Sequence, residues 1–368
     1  MLVYYSILGF LIFGGLLKSR FSRKLKISEN FIVAVSVILL FVFAALRSIE
    51  VGADTRQYCS HFISIQHTSW YHLNDYSHYI WGDIEGGYKV YNKLLSVFES
   101  PQTITIANSF LQILLISILI FRDSKNKWLS VFIYFTFCFY QTALNLAPSS
   151  FVSYFIYLSF PFIKNKRLVS FLLFILIGMS FHTSAIFFLP LYFLYKIKLT
   201  PKRIVAVILI SFVALMGYSV ILRLIMLVIP AKYLVYISPD KEHVQMTIEL
   251  AVYAVQLLAI LFCFMLLPSN KRKSFVSENS LVFWVFLYET ILYMFSTQVA
   301  AFSRGAFLFS PYTIIIIPQI LDGIEDTKRK RFGTSCIVLY CIIIYIVRVL
   351  NNNVGTTMPY EFFFNSWS

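Results

Sequence analysis

The fold class is decided by an uncharged apolar run, residues 168–195, which reads LVSFLLFILIGMSFHTSAIFFLPLYFLY. Basic residues flank the run on both sides, with Arg167 before it and Lys196 after it. A helix of about 20 apolar residues is long enough to cross the hydrocarbon core of a bilayer. The run is therefore predicted to lie within a membrane, as one helix or as two short ones.

Further apolar runs fill most of the chain. Of the 368 residues, 59% are hydrophobic and only 13% are charged, whereas soluble domains are roughly a quarter charged. The sequence predicts an all-α polytopic membrane protein, with residues 1–368 forming a single integral membrane domain of about 10–12 transmembrane helices. The predicted spans are about 2–17, 31–46, 104–121, 128–144, 148–163, 168–195, 204–229, 247–267, 281–300, 305–321 and 332–350.

The basic residues indicate which links face the cytoplasm. Short links between the spans hold 22 of the 31 Lys and Arg residues, as expected of the cytoplasmic loops of an inner-membrane protein. Both termini are then predicted to be periplasmic, with an external tail over residues 351–368. The net charge of +14 arises largely from these links, so no nucleic-acid partner is predicted.

The same distribution constrains residues 168–195. Because both ends carry cytoplasmic charges, the run has to cross the membrane an even number of times. Two helices of about 14 residues would each be roughly 21 Å long, which is too short for a full span. A short or re-entrant pair is therefore predicted, with its tip near residues 178–184 and His182 at the floor of a cavity. A single tilted helix is the alternative, but it would break the alternation of charged links.

The longest polar stretch, residues 47–103, is predicted to be one long external (periplasmic) loop. It carries six acidic residues against four basic ones, and four of the six histidines. Its many Tyr and Trp residues would suit either the membrane interface or the apolar faces of sugar rings. A polar stretch of this size in an apolar chain is where chemistry is expected.

Charged residues at the ends of spans are the first candidates for a site. Arg47 and Arg304 could bind an anionic group such as a phosphate. Snorkelling to lipid headgroups is the alternative for Arg47, and pairing with Glu289 is the alternative for Arg304. Asp54 follows a glycine turn, and its carboxylate either caps the helix that begins near Arg56 or takes part in chemistry.

Glu85 and His182 have the same two interpretations. Glu85 precedes two glycines, which permit a sharp turn into the next segment. His182 is either a buried histidine with its hydrogen bonds satisfied or a functional residue at a helix break. No second histidine stands at metal-ligand spacing, so no metal site is predicted. No cofactor is predicted either, because the sequence has no P-loop or dinucleotide fingerprint.

Short motifs that run through the chain resemble those of a known family. In order they are Arg47-Ser48, Val51-Gly52-Ala53-Asp54-Thr55 with Tyr58, Glu85-Gly86-Gly87-Tyr88 with Asn92, Asn145, Phe181-His182 with Ser184, Arg304 with Tyr312, and Pro359-Tyr360-Glu361-Phe362. Their order and spacing resemble the EpsG family of polysaccharide-polymerising membrane proteins, which includes many Wzy-type O-antigen polymerases. One departure concerns the family's Asn-x-x-Arg-Gln run, where this chain has Asn145-Leu146-Ala147-Pro148-Ser149.

The resemblance implies a GT-C-like membrane glycosyltransferase. Such an enzyme joins oligosaccharide repeat units carried on undecaprenyl diphosphate into O-antigen or a related surface polysaccharide, at the periplasmic face. Its expected partners are the undecaprenyl-diphosphate-linked oligosaccharide, membrane lipids and a chain-length-regulating membrane protein. Because the family's arginine is missing, either another arginine binds the diphosphate or this chain is an altered or inactive member.

The resemblance also implies roles for individual residues of this chain. Catalysis is expected of His182, Asp54, Arg47 and Arg304, with His182 as the first candidate for the base, Asp54 as the second, and the arginines neutralising the diphosphate. Substrate binding is expected of Glu85, Tyr88, Tyr58, Asn145 and Tyr312. The alternatives are a flippase or transporter of lipid-linked sugars, an O-antigen ligase and a sugar O-acyltransferase. A transporter would usually show two similar halves, which this sequence lacks.

Overall fold

The structure is a computed structural model that describes residues 2–18, 28–80, 82–217, 243–298 and 301–365. All the regular elements in these ranges are helical. The helices are α1 (Leu2–Leu16), α2 (Glu29–Ala45), α3 (Thr55–His67), α4 (Gly86–Leu95), α5 (Gln102–Asp123), α6 (Lys127–Thr136), α7 (Phe139–Asn145), α8 (Ala147–Tyr157), α9 (Phe160–Lys164), α10 (Leu168–Phe181), α11 (Leu189–Leu194), α12 (Pro201–Met216), α13 (His243–Leu266), α14 (Ser269–Glu278), α15 (Ser280–Ser296), α16 (Ala301–Phe307), α17 (Thr313–Asp322) and α18 (Thr327–Asn352). Short 3-10 helices lie at Ser96–Phe98, Thr183–Phe188, Ser310–Tyr312, Val354–Thr356 and Phe363–Asn365.

Several of these helices begin where the sequence provides a capping side chain. Ser28, Asn126, Thr200 and Asp326 precede α2, α6, α12 and α18, and each side chain accepts a hydrogen bond from a backbone N–H of the first turn. Such a cap pairs one of the amide groups that have no partner within the helix. Most of these caps lie beside the basic links, so they mark the points where predicted spans begin.

Three helical stretches are long and apolar enough to cross a membrane: Gln102–Asp123, Phe302–Asp322 and Thr327–Val349. A fourth candidate is the pair α14 and α15, which meet at a bend of 84°. These helices, with the composition of the chain, confirm a helical membrane protein. The count of 10–12 crossings stays a prediction, because several predicted spans are broken into shorter helices. Part of the predicted 204–229 span and of the segment that follows it lies at 218–242, outside the described residues.

The predicted span 128–144 is broken in its middle. Cys138 adopts the left-handed conformation with φ of 61°, which separates α6 from α7. The guanidinium of Arg348 on α18 donates a hydrogen bond to the Phe137 carbonyl at the break. Because a break leaves carbonyls without helical partners, this contact supplies one of the missing donors.

The apolar run 168–195 is broken at the predicted place. Helix α10 ends at Phe181, His182 is extended, and the chain continues in the 3-10 helix Thr183–Phe188. The prediction of two short elements with His182 near their junction is therefore confirmed. Whether this pair is re-entrant stays a prediction.

The polar stretch 47–103 is folded and is not an irregular loop. Helices α3 and α4 pack against each other and against α5. The buried ring of His61 lies 3.0 Å from the Tyr76 hydroxyl through Nδ1, and burial lowers the pKa of His61 to about 4. The Lys89 ammonium donates to the carbonyl of Tyr76 at 2.7 Å and pairs with Asp83 at 2.8 Å. This segment therefore presents fixed side chains to the rest of the molecule; its side of the membrane stays a prediction.

The C-terminal segment 353–363 is not an isolated tail. It runs back along the end of α2, where the backbone N–H of Ser48 donates to the Glu361 carbonyl at 2.9 Å and that of Phe363 donates to the Leu46 carbonyl at 3.0 Å. The Tyr360 hydroxyl donates to the Phe43 carbonyl at 2.7 Å. We call residues 353–363 the C-terminal strap. The backbone groups of the strap pair with the start of the polar stretch, so the predicted external tail is packed onto the fold over these residues; its side of the membrane stays a prediction.

Candidate functional site

The C-terminal strap and a glycine together fix the turn that precedes Asp54. Gly52 has φ of +97°, a conformation that side chains rarely adopt. A Cβ there would lie 2.8 Å from the Thr55 hydroxyl and 3.2 Å from the Leu144 carbonyl. The Gly52 N–H donates to the Thr356 carbonyl at 3.0 Å. The turn is thus held from both sides, which sets the position of Asp54.

Asn145 contacts Asp54 from the end of α7. Its Oδ1 accepts the backbone N–H of Asp54 at 2.8 Å, and its carbonyl accepts the Tyr58 hydroxyl at 3.0 Å. Asp54 occupies the N-cap position of α3, but its carboxylate makes no capping hydrogen bond. The capping interpretation of Asp54 is therefore not supported, and its carboxylate is left for another partner.

The electrostatic partner of the Asp54 carboxylate is Arg304. Burial raises the pKa of Asp54 above its ordinary value, and the positive charge of Arg304 opposes this rise. The two residues are 250 positions apart in the sequence, so only the tertiary fold brings them together. A carboxyl group with a raised pKa beside a cation is the kind of group that can accept a proton near neutral pH.

Glu85 joins the polar stretch to the break after α10. Its Oε1 accepts the backbone N–H of Thr183 at 2.8 Å and the Thr183 hydroxyl at 3.1 Å. A Cβ on Gly87 would lie 2.5 Å from the Ser180 hydroxyl and 2.6 Å from the Ser180 carbonyl. Glycine at 87 is therefore required for this close approach of α4 to α10, and the carboxylate of Glu85 can then cap the 3-10 helix that follows His182.

The hydrogen bonds of His182 decide which ring nitrogen carries a proton. Nδ1 accepts the backbone N–H of Ser184 at 3.2 Å and lies 2.6 Å from the Ser184 hydroxyl. Because Nδ1 is an acceptor, the neutral ring has its hydrogen on Nε2. His182 therefore offers an Nε2–H donor and is not arranged to accept a proton at Nε2. It interacts electrostatically with Glu85 and with Arg304.

Arg304 reaches this place through a second close packing contact. A Cβ on Gly305 would lie 2.9 Å from the ring of Phe187, which belongs to the 3-10 helix Thr183–Phe188. The absence of a side chain at 305 therefore lets α16 approach that helix. The Arg304 side chain itself is exposed and lies within electrostatic range of Asp54 and His182.

Five residues predicted from the sequence thus come together, and we call them the candidate cluster: Asp54, Glu85, Asn145, His182 and Arg304. They come from four separate parts of the chain. The cluster combines a carboxylate with a raised pKa, an exposed guanidinium and an imidazole N–H donor. Such a set can bind an oxyanion and accept a proton from a hydroxyl. Among the described residues no group of three or more His, Cys, Asp or Glu could hold a metal ion.

Arg47 is buried and lies beside the candidate cluster, because its acceptor Leu144 directly precedes Asn145. It is 1% exposed. Its guanidinium donates to the carbonyl of Ala44, to the Ser109 hydroxyl at 2.8 Å and to the carbonyl of Leu144 at 3.2 Å. We call Arg47, Ala44, Ser109 and Leu144 the Arg47 hub. The hub joins the end of α2 to α5 and α7, so the geometry favours a structural role for Arg47 over phosphate binding.

The predicted tyrosines also pack as structural residues. The Tyr88 side chain is 1% exposed, and its hydroxyl accepts a hydrogen bond from Asn108 at 2.9 Å. Tyr58 packs edge to face against Tyr88, with ring centroids 6.3 Å apart, while its hydroxyl donates to Asn145. Through the hydrogen bond from Tyr58 to Asn145, these packed rings help to hold the candidate cluster in position.

Tyr312 is separate from the candidate cluster. Its ring packs against Tyr157 and Phe160, each with a centroid distance of 5.1 Å. It lines a cavity with Arg122 and Asp123 at the C-terminal end of α5. Because Gln102 at the N-terminal end of α5 bonds to the carbonyl of Arg47, this cavity and the Arg47 hub lie toward opposite ends of the helix.

Sequence reasoning missed several residues that position the cluster. No sequence pattern reveals the contacts that these residues make. They involve the backbone of Thr356, the two hydrogen-bond donors of Thr183 and the backbone N–H of Ser184. Gly87 and Gly305 gave a signal, since each directly follows or precedes a candidate residue. That signal could not say which neighbouring atoms required a glycine.

Comparison with known proteins agrees with the motifs described above. No curated protein and no solved structure matches this chain. The EpsG family model matches residues 30–362, which include the whole candidate cluster, the Arg47 hub and most of the C-terminal strap. With a match over nearly its full length, the chain belongs to the EpsG family.

Proposed function

We propose that this protein is a polysaccharide polymerase of the bacterial inner membrane. It joins oligosaccharide repeat units carried on undecaprenyl diphosphate into O-antigen or a related surface polysaccharide, on the periplasmic face. The observation that carries the proposal is the meeting of Asp54, His182 and Arg304 in a membrane protein of the EpsG family. The three supply a base, a hydrogen-bond donor and a fixed positive charge.

The proposed step is a glycosyl transfer between two lipid-linked chains. A hydroxyl oxygen at the non-reducing end of one repeat unit attacks the anomeric carbon that links the growing glycan to its diphosphate. A new glycosidic C–O bond forms while the bond from that carbon to the diphosphate oxygen breaks. Undecaprenyl diphosphate leaves with the electron pair, and the carboxylate of Asp54 accepts the hydroxyl proton.

Charge stabilisation comes from the other side of the cluster. Arg304 is exposed and faces the anionic leaving group, where a fixed positive charge lowers the energy of the transition state. The Nε2–H of His182 donates to a diphosphate oxygen, in line with the acceptor role of its Nδ1. Glu85 positions His182 by capping the adjacent 3-10 helix through Thr183. The base is thus Asp54, the second candidate from the sequence, and His182 is a donor.

Arg304 also accounts for the family arginine that is missing after Asn145. Pro148 stands in the place of that arginine and lies buried in the first turn of α8, where proline is well tolerated. No cation is available at that position. Among the arginines predicted to bind the diphosphate, only Arg304 is exposed, whereas Arg47 is occupied by the hub.

The test is a strain that lacks this gene, examined for the length of its lipid-linked surface polysaccharide. We expect the ladder of chain lengths to collapse to a single repeat unit and to return with the intact gene. Complementation with Asp54→Asn should leave the single unit, at unchanged protein level. Loss of all repeat units would instead indicate a ligase or flippase. An unchanged ladder without acetyl groups would indicate an acyltransferase.

A further inference from the structure

The polar cavity at the C-terminal end of α5 shares no lining residue with the candidate cluster. It has a volume of about 230 Å³. Three basic side chains line it, Arg122, Lys125 and Lys164, against the single acid Asp123. We call it the basic cavity. Its net charge of about +2 at neutral pH attracts anions.

Arg122 and Asp123 already satisfy each other. The guanidinium donates to both oxygens of the Asp123 carboxylate, at 2.8 and 2.7 Å. It also donates to the carbonyls of Leu158 and Tyr157, at 3.0 and 3.2 Å. Arg122 is therefore held in place by the ends of α5 and α8. Its role is to form the wall of the cavity and not to provide its free charge.

The two lysines supply the charge that is not neutralised. Lys125 follows the end of α5, and Lys164 is the last residue of α9, so the two come from different helices and meet at one cavity. Within the described ranges neither ammonium has an acceptor on the protein. Two lysine ammonium groups that reach the same cavity on flexible side chains are suited to bind phosphate oxygens.

The remaining walls match a lipid headgroup better than a soluble anion. Phe160, Pro161 and the ring of Tyr312 form apolar surface beside the lysines. Gln319 also lines the cavity, and its Oε1 has no hydrogen-bond donor within the described residues. A headgroup anchored in the bilayer brings a negative charge together with apolar groups that can contact these walls.

The depth of the cavity agrees with this chemistry. Helix α5 is a candidate span of 22 residues, and a helix of that length extends about 33 Å. The cavity thus lies where the span ends, at the level of lipid phosphates. Basic clusters at the cytoplasmic ends of spans are attracted to anionic lipids.

We propose that the basic cavity binds the phosphodiester headgroup of an anionic phospholipid, with Lys125 and Lys164 as its ligands. The site lies apart from the candidate cluster and does not depend on the proposed polymerase activity. It also gives Tyr312, which was expected to bind substrate, a different role in the wall of a lipid site.

The test uses the full-length protein, purified in a neutral detergent and examined by native mass spectrometry. Micelles are doped with either phosphatidylglycerol or phosphatidylcholine. We expect one phosphatidylglycerol to be retained at concentrations at which phosphatidylcholine is not. Equal retention of both lipids would overturn the proposal. So would displacement of phosphatidylglycerol by excess inorganic phosphate, which would indicate a site for a soluble anion.

A matched pair of double variants assigns the binding to the cavity. Lys125→Gln with Lys164→Gln should weaken phosphatidylglycerol binding about thirtyfold, from the loss of two lysine contacts near a membrane surface. Lys198→Gln with Lys202→Gln removes the same charge from another basic link and should change binding less than about threefold. An equal loss in both variants would show that binding follows net charge alone and would overturn the assignment.

Discussion

The Arg47 hub and the candidate cluster show how two arginines with the same predicted role can act differently. Both were expected to neutralise a diphosphate. In the hub, carbonyls of Ala44 and Leu144 and a serine hydroxyl already accept the guanidinium protons. In the cluster, Arg304 is exposed and lies within electrostatic range of Asp54 and His182. The difference lies in the acceptors that the fold brings to each arginine.

A buried arginine beside helix ends can be a structural residue. The carbonyls at the end of a helix have no partners within it, and a buried guanidinium can satisfy several of them at once. An arginine that binds substrate requires the opposite arrangement. It has to be exposed, and its charged partner has to leave the guanidinium oriented toward the ligand. Substitutions in the two regions should therefore affect folding and activity separately.

The largest effect is expected from Arg47→Ala. The variant leaves buried carbonyls and a hydroxyl without their charged donor, and hydrogen bonds to charged groups contribute about 1.5–3 kcal/mol each. We expect the free energy of unfolding to fall by at least about 3 kcal/mol and little folded protein to reach the membrane. Thermal unfolding measures the loss of stability, and the abundance of the variant in the membrane measures the loss of folded protein.

The matched control is Arg56→Ala. Arg56 is exposed and forms a surface ion pair with Glu50, and such pairs contribute less than about 1 kcal/mol. We therefore expect near-normal abundance of that variant. Equal abundance of the Arg47 and Arg56 variants would contradict the structural role of the hub.

A second prediction separates the two possible roles of His182. A glutamine side chain can donate a hydrogen bond but cannot act as a base near neutral pH. His182→Ala should lower the rate of polymerisation by roughly 10²-fold, whereas His182→Gln should retain activity within about tenfold of the intact protein. The rate is measured with purified protein and a lipid-linked repeat unit. If both variants lose activity equally, the imidazole is needed as a base and the donor role is wrong.

A third prediction concerns the contact that positions the cluster. Gly87→Ala would place a Cβ 2.6 Å from the Ser180 carbonyl, so α4 has to shift away from α10. We expect a loss of about 1–3 kcal/mol of stability, with a decrease in activity because Glu85 no longer reaches Thr183. Gly86→Ala is the control, since no atom lies within 4 Å of a Cβ there. The measurements are thermal unfolding and the length of the polymer that each variant makes. If the close approach is unimportant, the Gly87 and Gly86 variants will not differ in either measurement.

The sequence predicted the helical membrane class and the break at His182. Both follow from strong signals: the length of the apolar runs, and basic residues on both sides of residues 168–195. The number of complete spans could not be predicted in the same way. A break such as that at Cys138 depends on a donor from Arg348, more than 200 residues away, and hydropathy does not report that contact.

The residue types identified candidate site residues, but they could not show which of these residues lie close together in the fold. Asp54 and Arg304 are 250 residues apart, and only packing through Gly305 and the turn at Gly52 brings their charges together. Tyr312 was grouped with Arg304 because it follows Arg304 closely in the sequence, whereas its ring packs against Tyr157 and Phe160. Eight further residues of mostly helical chain carry it roughly 12 Å along the helix direction, toward the basic cavity.

The most direct test of the central claim measures the pH dependence of polymerisation by Arg304→Gln. If Asp54 is the base, activity falls on the acid side as its carboxylate is protonated. Arg304 lowers the pKa of Asp54, so removing its charge should raise that pKa. We expect the acid limb of the rate profile to move to higher pH, at unchanged protein stability. An acid limb at the same pH as in the intact protein would contradict it.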